Sequence, residues 1–144
     1  MPFVPRLSPH DARLIRSARV AHLASADRKA QPHVIPICFV YDGKNFYSPI
    51  DEKPKRTAPD KLKRLLNIRE NPQVSLVIDR YDENWRKLSY LLVSGQARVL
   101  LRGVKHRKAV ELLRRKYPQY RAMAIDERPL ILIRPRRTTS WRAI

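Results

Sequence analysis

Residues 88–101 (LSYLLVSGQARVLL) constrain the fold more than any other segment of the chain. Their length and apolar content predict a strand that is longer than most, with Gly95 near its middle. A glycine at such a place indicates a β-bulge or a sharp bend, which a strand needs where it turns the corner of a barrel. We therefore predict that the chain folds around a bent β-sheet.

Five further segments have the β-branched, aromatic and apolar composition of strands. They are residues 20–24, 33–41, 44–50, 74–78 and 130–133. Asp42-Gly43 lies between two of them and predicts a hairpin. Pro36 lies inside another and indicates an edge position or a bulge. The continuously apolar segment 74–78 predicts a central strand, whereas the basic residues 134–144 are predicted as a tail.

Three segments are predicted as helices, and they span residues 9–18, 57–70 and 105–117. The first follows Ser8, Pro9 and Asp11, which suit the cap, the first helical position and the capping box. The second follows a predicted cap within residues 57–60. Its inward stripe is predicted to consist of Leu62, Leu65, Leu66 and Ile68. The order of these elements predicts one α+β domain over residues 1–144, built on a six-stranded, mainly antiparallel barrel.

The charge of the chain indicates an anionic partner, because a formal net charge of +18 attracts polyanions. Basic residues are densest in 53–69 (KPKRTAPDKLKRLLNIR), where Asp60 is the single acid. A nucleic acid is one interpretation and the phosphate of a cofactor is another. Nucleic-acid binding would need aromatic rings on an exposed sheet face. Tyr41, Phe46 and Tyr47 come nearest to this, but their neighbours are predicted to be buried, so we expect no specific nucleic-acid partner.

No motif assigns catalytic residues or a metal site. The chain lacks a glycine-rich phosphate loop, a dinucleotide fingerprint, a zinc motif and a nucleophile elbow. Its histidines are dispersed in sequence, at His10, His22, His33 and His106. Asp79, Asp82 and Glu83 are predicted to form a solvated loop. A chain of this kind is expected to take its reactivity from a bound cofactor.

The sequence also predicts a cytoplasmic protein. Its single cysteine, Cys38, permits no disulfide within one chain, which suits a reducing compartment. No stretch approaches the roughly 18 apolar residues of a membrane span. The first residues, MPFVPRLSPHD, lack the apolar core of a signal peptide. No membrane partner is therefore expected.

Four stretches resemble segments of one known family in their order and spacing. They are residues 19–25 (RVAHLAS), 32–43 (PHVIPICFVYDG), 65–74 (LLNIRENPQV) and 93–99 around Gly95. Together they resemble the pyridoxamine 5′-phosphate oxidase-like split β-barrel family, and most closely its deazaflavin (coenzyme F420)-dependent branch. The resemblance extends over about residues 10–142.

The resemblance implies a homodimer with cofactor clefts where two split barrels of the FMN-binding type meet. It implies F420 as the cofactor, with FMN as the alternative, and hydride transfer to or from a small organic substrate. The residues that it implies at the cofactor are Val34, Ile35, Pro36, Ile37, Ser48, Pro49, Ile50, Lys55, Arg56, Lys61, Arg64, Trp85 and Trp141. Since residues 34–37 alternate in facing, only half of them can line a cleft.

One departure from the family pattern affects the expected activity. The sequence has His33 to Ile37 (HVIPI) where the true pyridoxamine phosphate oxidases carry arginine and lysine on the second strand, so we do not expect vitamin B6 oxidation. The phosphate and polyglutamate tail of F420 account for more of the basic excess than FMN does. An FMN-dependent oxidoreductase and a cofactor-binding protein without turnover remain alternatives. Tyr47, Tyr81 and His33 are candidate proton donors.

Overall fold

The computed structural model describes residues 5–50 and 62–144 of the chain. Its α-helices are α1 (Pro9–Ser17), α2 (Lys63–Glu70) and α3 (Val104–Lys116). Its strands are β1 (Ala21–Ala26), β2 (Pro32–Ile37), β3 (Val40–Tyr41), β4 (Phe46–Pro49), β5 (Gln73–Arg80), β6 (Ser89–Leu100) and β7 (Leu130–Arg142). Short 3₁₀ turns span Trp85–Lys87, Pro118–Ala122 and Ile125–Glu127. None of the helices in the described ranges is long and apolar enough to cross a membrane.

The strands form one antiparallel sheet in the order β2-β1-β5-β6-β7-β4-β3. This arrangement confirms the α+β class and the antiparallel split-barrel fold. The central position of β5 and the edge position of β2, which contains Pro36, were also predicted correctly. The hairpin at Asp42-Gly43 is confirmed, with Val40 paired to Tyr47 and Tyr41 paired to Phe46.

The predicted count of six strands is wrong, because the sheet has seven. The predicted second strand, residues 33–41, divides at Cys38 and Phe39 into β2 and β3, which lie at opposite edges of the sheet. At the division the Phe39 N–H donates to the Tyr117 hydroxyl at 3.1 Å. A side chain from the end of α3 therefore takes the backbone donor that a continuous strand would have used in its ladder.

The last strand is longer than predicted, since it runs to Arg142 and not to Ile133. It pairs with β6 from Leu100↔Leu130 to Ser89↔Arg142. The backbone of β6 thus supplies hydrogen-bond partners for residues 134–142, which were predicted from the sequence only as a basic tail. The predicted bulge is confirmed by a register shift between Ser94 and Gly95.

Helices α1 and α2 pack on one face of the sheet and build the larger core. The capping box of α1 is present: the Asp11 N–H donates to Ser8 Oγ at 3.0 Å, and the Ser8 N–H donates to Asp11 Oδ2 at 3.2 Å. Leu14 and Ile15 then face the core. Their neighbours in this cluster come from alternate positions of the strands and include Leu23, Leu76, Ile78, Leu91 and Val93.

The described part of α2 departs from the prediction in two ways. The helix begins at Lys63, and the predicted cap at 57–60 lies outside the described residues. Leu66 was predicted to face inward but is 41% exposed, whereas Leu65 and Ile68 are buried. The prediction for Leu66 is wrong because the buried side of this short helix is formed by Leu65, Asn67 and Ile68. At 3.6 residues per turn, Leu66 then lies on the opposite side of the helix.

Asn67 ties α2 to the sheet, because its Nδ2 donates to Ser25 Oγ at 3.1 Å and its side chain is fully buried. We expect Asn67→Ala to lower the free energy of unfolding by about 1–3 kcal/mol, since it leaves the buried Ser25 hydroxyl without this partner. Urea unfolding measures the loss. Gln73→Ala, which truncates an exposed side chain with the same amide group, is the control and should change stability by less than about 0.5 kcal/mol. Equal effects of the two substitutions would contradict this role of Asn67.

Helix α3 covers the opposite face of the sheet at β3, β4 and the start of β7. Val110 and Leu113 pack there against Tyr47 and Leu132. Tyr117 follows the helix and donates from its hydroxyl to Arg19 O at 2.9 Å. This second core fixes the end of α3 against the start of β1 and the division between β2 and β3.

Lys116 lies half-buried beside this contact. Its Nζ donates to Phe39 O at 3.1 Å and lies 3.8 Å from the centroid of the Phe39 ring. Burial, and secondarily the charge of Arg19, lower the pKa of Lys116 from 10.5 to about 8. Between these two values the unfolded chain binds more protons than the folded chain, so the contribution of Lys116 to stability rises with pH.

We therefore expect the difference in unfolding free energy between the wild type and Lys116→Met to rise from about pH 8 to pH 10. The rise levels off near the ordinary lysine pKa of 10.5, above which the unfolded chain also loses this proton. Burial raises the pKa of Tyr117 to about 12, but this hydroxyl is present in both proteins and its effect cancels in the difference. Urea unfolding of both proteins across this pH range measures the difference. A difference that stays flat or falls would contradict the prediction.

Candidate cofactor-binding face

One face of the sheet carries side chains from five strands and is called here the outer face. Residues paired across antiparallel strands point to the same side, so the ladders place these side chains in rows. The rows are Val34–Ala24–Ser75–Ser94–Arg137, Pro36–His22–Val77–Leu92–Thr139 and Asp79–Tyr90–Trp141. In the described ranges neither α1 nor α2 covers this face, because both pack on the other side of the sheet.

The outer face carries four exposed large apolar side chains among polar ones such as His22 and Arg137. Val34 is 65% exposed, and Leu92, Tyr90 and Trp141 are 36%, 37% and 44% exposed. The rings of Tyr90 and Trp141 stack with centroids 5.8 Å apart and an angle of 23° between their planes. Tyr90, Trp141 and the neighbouring Leu92 mark this end of the face as a candidate surface for a partner or a ligand.

The structure places the four predicted residues of β2 on both sides of the sheet, as their alternation predicted. Val34 and Pro36 lie on the outer face and are exposed. Ile35 and Ile37 point to the larger core, where Ile37 is buried and Ile35 packs against the cluster. The outer pair is thus the half of this set that can meet a ligand.

The three predicted residues at the end of β4 lie inside the protein. The side chains of Ser48 and Ile50 are each 1% exposed, and Pro49 is buried as well. Ser48 pairs with Ile131 and Pro49 with Leu130, so β4 is enclosed between β3 and β7. These side chains pack in the core, and the sequence pattern gave no sign of this difference from β2.

Three of the four predicted basic residues, Lys55, Arg56 and Lys61, lie outside the described residues. Arg64 lies in the first turn of α2 and is half-buried. Their assignment to the cofactor phosphate stays a prediction.

The two tryptophans lie at the same end of the β5–β6 hairpin. Trp85 is 68% exposed in the 3₁₀ turn between the strands. Trp141 is on the outer face, close to the last ladder pair of β7. Beside them, the Ala143 N–H donates to Leu88 O at 3.0 Å and holds the end of the chain against the loop.

The candidate proton donors differ in their access to the outer face. Tyr47 is buried under α3, where its hydroxyl donates to Asp42 Oδ2 at 2.9 Å. Burial, together with this hydrogen bond, raises the pKa of Tyr47 to about 12. His33 is half-buried and pairs with Ser25, so it points away from the outer face. Tyr81 is exposed in the loop after β5.

Asp82, one of the three acidic candidates, has local contacts, and two of the aromatic candidates are buried. Asp82 accepts from the Asn84 N–H at 2.7 Å and pairs with Arg80 at 3.5 Å on the surface. Phe46 and Tyr47 are buried and so cannot stack on bases. Within the described ranges no group of three His, Cys, Asp or Glu side chains is placed to hold a metal ion.

Sequence reasoning missed Tyr90, Leu92 and Val77 as residues of the outer face. The signal that could have found them is the alternation along β5 and β6, in which every second side chain points away from the core. It is weak here because Leu91 and Leu92 are both leucine although they face opposite sides.

Comparison with known proteins identifies the family. The family model described as pyridoxamine 5′-phosphate oxidase matches residues 7–142. The chain therefore belongs to the pyridoxamine 5′-phosphate oxidase family. No curated protein sequence matches the chain.

Solved structures of similar fold come from proteins that are described differently. HutZ, the heme storage protein from Vibrio cholerae, has a TM-score of 0.73 and 15% identity, over 95% of this chain and 94% of HutZ. A protein described as F420 reductase has a TM-score of 0.67 and 20% identity, over 92% of this chain and 98% of its own. An FAD-binding protein from Mesorhizobium loti has a TM-score of 0.67 and 21% identity, over 93% and 94% of the two chains. At these identities the likeness establishes the fold.

Proposed function

We propose that this protein is an F420-dependent oxidoreductase that works as a homodimer on a small organic substrate. The observation that carries the proposal is the exposed apolar outer face, with the stacked rings of Tyr90 and Trp141 at one end and Val34 at the other. The F420 reductase among the structural neighbours supports it, because that protein has the same fold over nearly its whole length.

The residues present fit a planar tricyclic cofactor with a phosphate. Aromatic and aliphatic side chains on a rigid sheet offer the ring a flat apolar surface. Pro36 and Val34 would contact it from β2, and Trp141 or Trp85 would form a wall of the pocket. Lys55, Arg56, Lys61 and Arg64 would hold the phosphate, because Lys and Arg form charge-assisted hydrogen bonds with phosphate oxygens.

The bound cofactor would supply the hydride chemistry. The role of the chain is then to orient the ring, hold the phosphate and exclude water from the cleft. No side chain is assigned as a proton donor. Tyr81 remains the candidate with solvent access, since Tyr47 is enclosed and His33 points away from the outer face.

The same surface supports the proposal of a homodimer. Two copies that pair their outer faces would bury Leu92, Tyr90 and Trp141 of each chain in a closed, symmetric interface. The cofactor would lie at the border of this interface, where β2 of one chain meets the partner. We further propose a reducing compartment such as the cytoplasm, which suits the single cysteine, Cys38.

Titration with F420, FMN and hemin at matched, near-physiological salt tests the proposal. We expect F420 to bind more tightly than FMN and hemin, as followed by cofactor fluorescence and, for hemin, by absorbance. Tight FMN binding alone would favour a flavin-dependent oxidoreductase. Tight hemin binding alone would favour the alternative of a cofactor-binding protein without turnover, and HutZ is described as a heme storage protein. Binding of none of the three would reject the cofactor assignment and leave the polyanion interpretation of the basic residues.

A matched pair of variants locates the phosphate site in the same titration. Lys55→Ala/Arg56→Ala should weaken F420 binding by at least about tenfold, because it removes two charge-assisted contacts. Arg107→Ala/Lys108→Ala removes the same net charge from an exposed part of α3 and is the control. Equal losses in the two variants would indicate a general effect of charge.

A further inference from the structure

A cavity of about 470 Å³ lies on the other side of the sheet, between α1 and the turn end of the β5–β6 hairpin. It is called here the basic cavity. The polar side chains that line it are His10, Arg13, Arg16, Ser17, Arg80 and Ser89. They come from three separate elements, so the cavity depends on the packing of α1 against the sheet.

The basic cavity is distinct from the cofactor-binding face. Arg80 and Ser89 form the last ladder pair of β5 and β6 before the turn. Tyr90 is the next residue after Ser89 and therefore points to the opposite side of the sheet. A ligand in the basic cavity would contact the side of the sheet that carries α1, whereas the proposed cofactor contacts the outer face.

Among the described residues, all polar side chains that line the basic cavity can donate hydrogen bonds, and none of them is a carboxylate. In the described part of the chain Arg13 and Arg16 have neither an ion pair nor a side-chain hydrogen bond. Arg80 has one weak partner, Asp82, at 3.5 Å on the surface. Three guanidinium groups therefore surround this space with little compensation.

Two further observations strengthen the case for an anion. His10 lines the cavity, and its buried Nδ1 has no hydrogen-bond partner among the residues that the structure describes. The nearest acid in sequence, Asp11, is already engaged, because it accepts from the Ser8 N–H at 3.2 Å and from the Ser140 hydroxyl. Its hydrogen-bond partners are thus neutral donors, and it forms no ion pair with these arginines in the described part of the chain.

We infer that the basic cavity binds a small phosphate-bearing anion. Planar guanidinium groups match the oxygens of phosphate in pairs and bind it more strongly than a monovalent anion. The cavity is larger than one phosphate, so it has room for the organic group of a phosphate monoester. The shared chemistry of inorganic phosphate and a phosphate monoester is the dianionic group held by Arg13, Arg16 and Arg80.

The test is a titration of the full-length protein with inorganic phosphate, and in a second arm with adenosine monophosphate, at constant ionic strength set with potassium chloride. The imidazole resonances of the histidines are followed by NMR, with that of His10 assigned from His10→Gln. We expect the His10 resonance to move with saturation. His22, which is exposed on the outer face, is the internal reference and should not follow the same curve.

A charge-matched pair of variants completes the test. Arg13→Gln/Arg16→Gln should weaken phosphate binding by at least about tenfold, since it removes two charged donors. Arg107→Gln/Lys108→Gln removes the same charge from α3 and should change the affinity by less than about twofold, because these two exposed side chains do not line the cavity and their charges are screened by salt. If the first variant proves unfolded by its thermal transition, Arg80→Gln replaces it with the same expectation of weakened binding.

Tighter binding of adenosine monophosphate than of inorganic phosphate would assign the remaining volume to an organic group, and equal binding would assign the site to the phosphate group alone. Equal losses in the two charge-matched variants would overturn the inference. So would parallel shifts of His10 and His22, or displacement of phosphate by an equal concentration of chloride. Each of these results would show that phosphate binding depends on the net charge of the protein and not on this cavity.

Discussion

Gly95→Ala should lower the free energy of unfolding by about 3 kcal/mol or more, as a steric overlap within a tightly packed region does. A Cβ atom at Gly95 would lie 2.2 Å from Arg134 O and 3.2 Å from Pro135 Cα. Both contacts are with the backbone of β7, so no side chain can rotate away. Relief requires β6 and β7 to separate at the bulge, where the two strands form the longest ladder of the sheet.

Gly43→Ala is the control that separates the cost of steric overlap from the cost of an unfavourable backbone conformation. Gly43 has a φ of +98°, and a Cβ there would meet nothing within 4 Å. Its substitution should therefore cost only the conformational strain of the hairpin turn, about 1–2 kcal/mol. Urea unfolding of the two variants measures both losses. A loss for Gly95→Ala no larger than that for Gly43→Ala would contradict the role assigned to the bulge.

Leu92→Asp should convert the proposed dimer into monomers and weaken binding of the proposed cofactor. Leu92 lies in the middle row of the outer face, next to Val77 and Thr139. In a symmetric interface each substitution occurs twice, and each places an unpaired carboxylate in an apolar contact. A buried, uncompensated charge costs about 3–5 kcal/mol, so the dissociation constant of the dimer should rise by at least about a hundredfold.

Leu101→Asp supplies the matched control, because Leu101 is also an exposed leucine but lies beyond the end of β6. Size-exclusion chromatography with light scattering gives the mass of each variant, and thermal unfolding shows that both remain folded. We expect Leu101→Asp to keep the mass and the cofactor affinity of the wild type. A Leu92→Asp protein that stays dimeric would show that the outer face is not the interface.

The parts of the fold that depend on neighbouring residues could be predicted from the sequence. The start of α1 follows from Ser8 and Asp11, whose capping contacts span three residues. The hairpin follows from Asp42, whose Oδ1 accepts from the Lys44 and Asn45 N–H groups, and from the positive φ of Gly43. In both cases the interaction that fixes the conformation joins residues that are close together in the sequence.

The parts that depend on distant residues were not predictable in this way. The division between β2 and β3 rests on Tyr117, which reaches Phe39 across the fold. The extension of β7 to Arg142 rests on the edge of β6, since the sequence of the tail itself has no strand pattern. Both are tertiary contacts, and no local preference of the residues concerned reports them.

The candidate site was partly predictable for the same physical reason. The alternation of β2 predicted that only half of residues 34–37 could meet a ligand, and the sheet shows that this half is Val34 and Pro36. The burial of Ser48 and Ile50 could not be foreseen. It depends on the position of β4 between β3 and β7, and the pairing with β7 becomes known only with the order of the sheet. The row formed by Leu92 and its neighbours likewise becomes visible only once the strands are paired.

Sedimentation velocity of the protein with F420, recorded both at the absorption band of the protein and at that of the cofactor, tests the central claim most directly. The account predicts that the cofactor sediments with a species of twice the mass of one chain, at one cofactor per chain, at near-physiological salt. Cofactor that sediments freely, or that travels with a monomer, would contradict the assignment of the outer face as a shared interface and cofactor site.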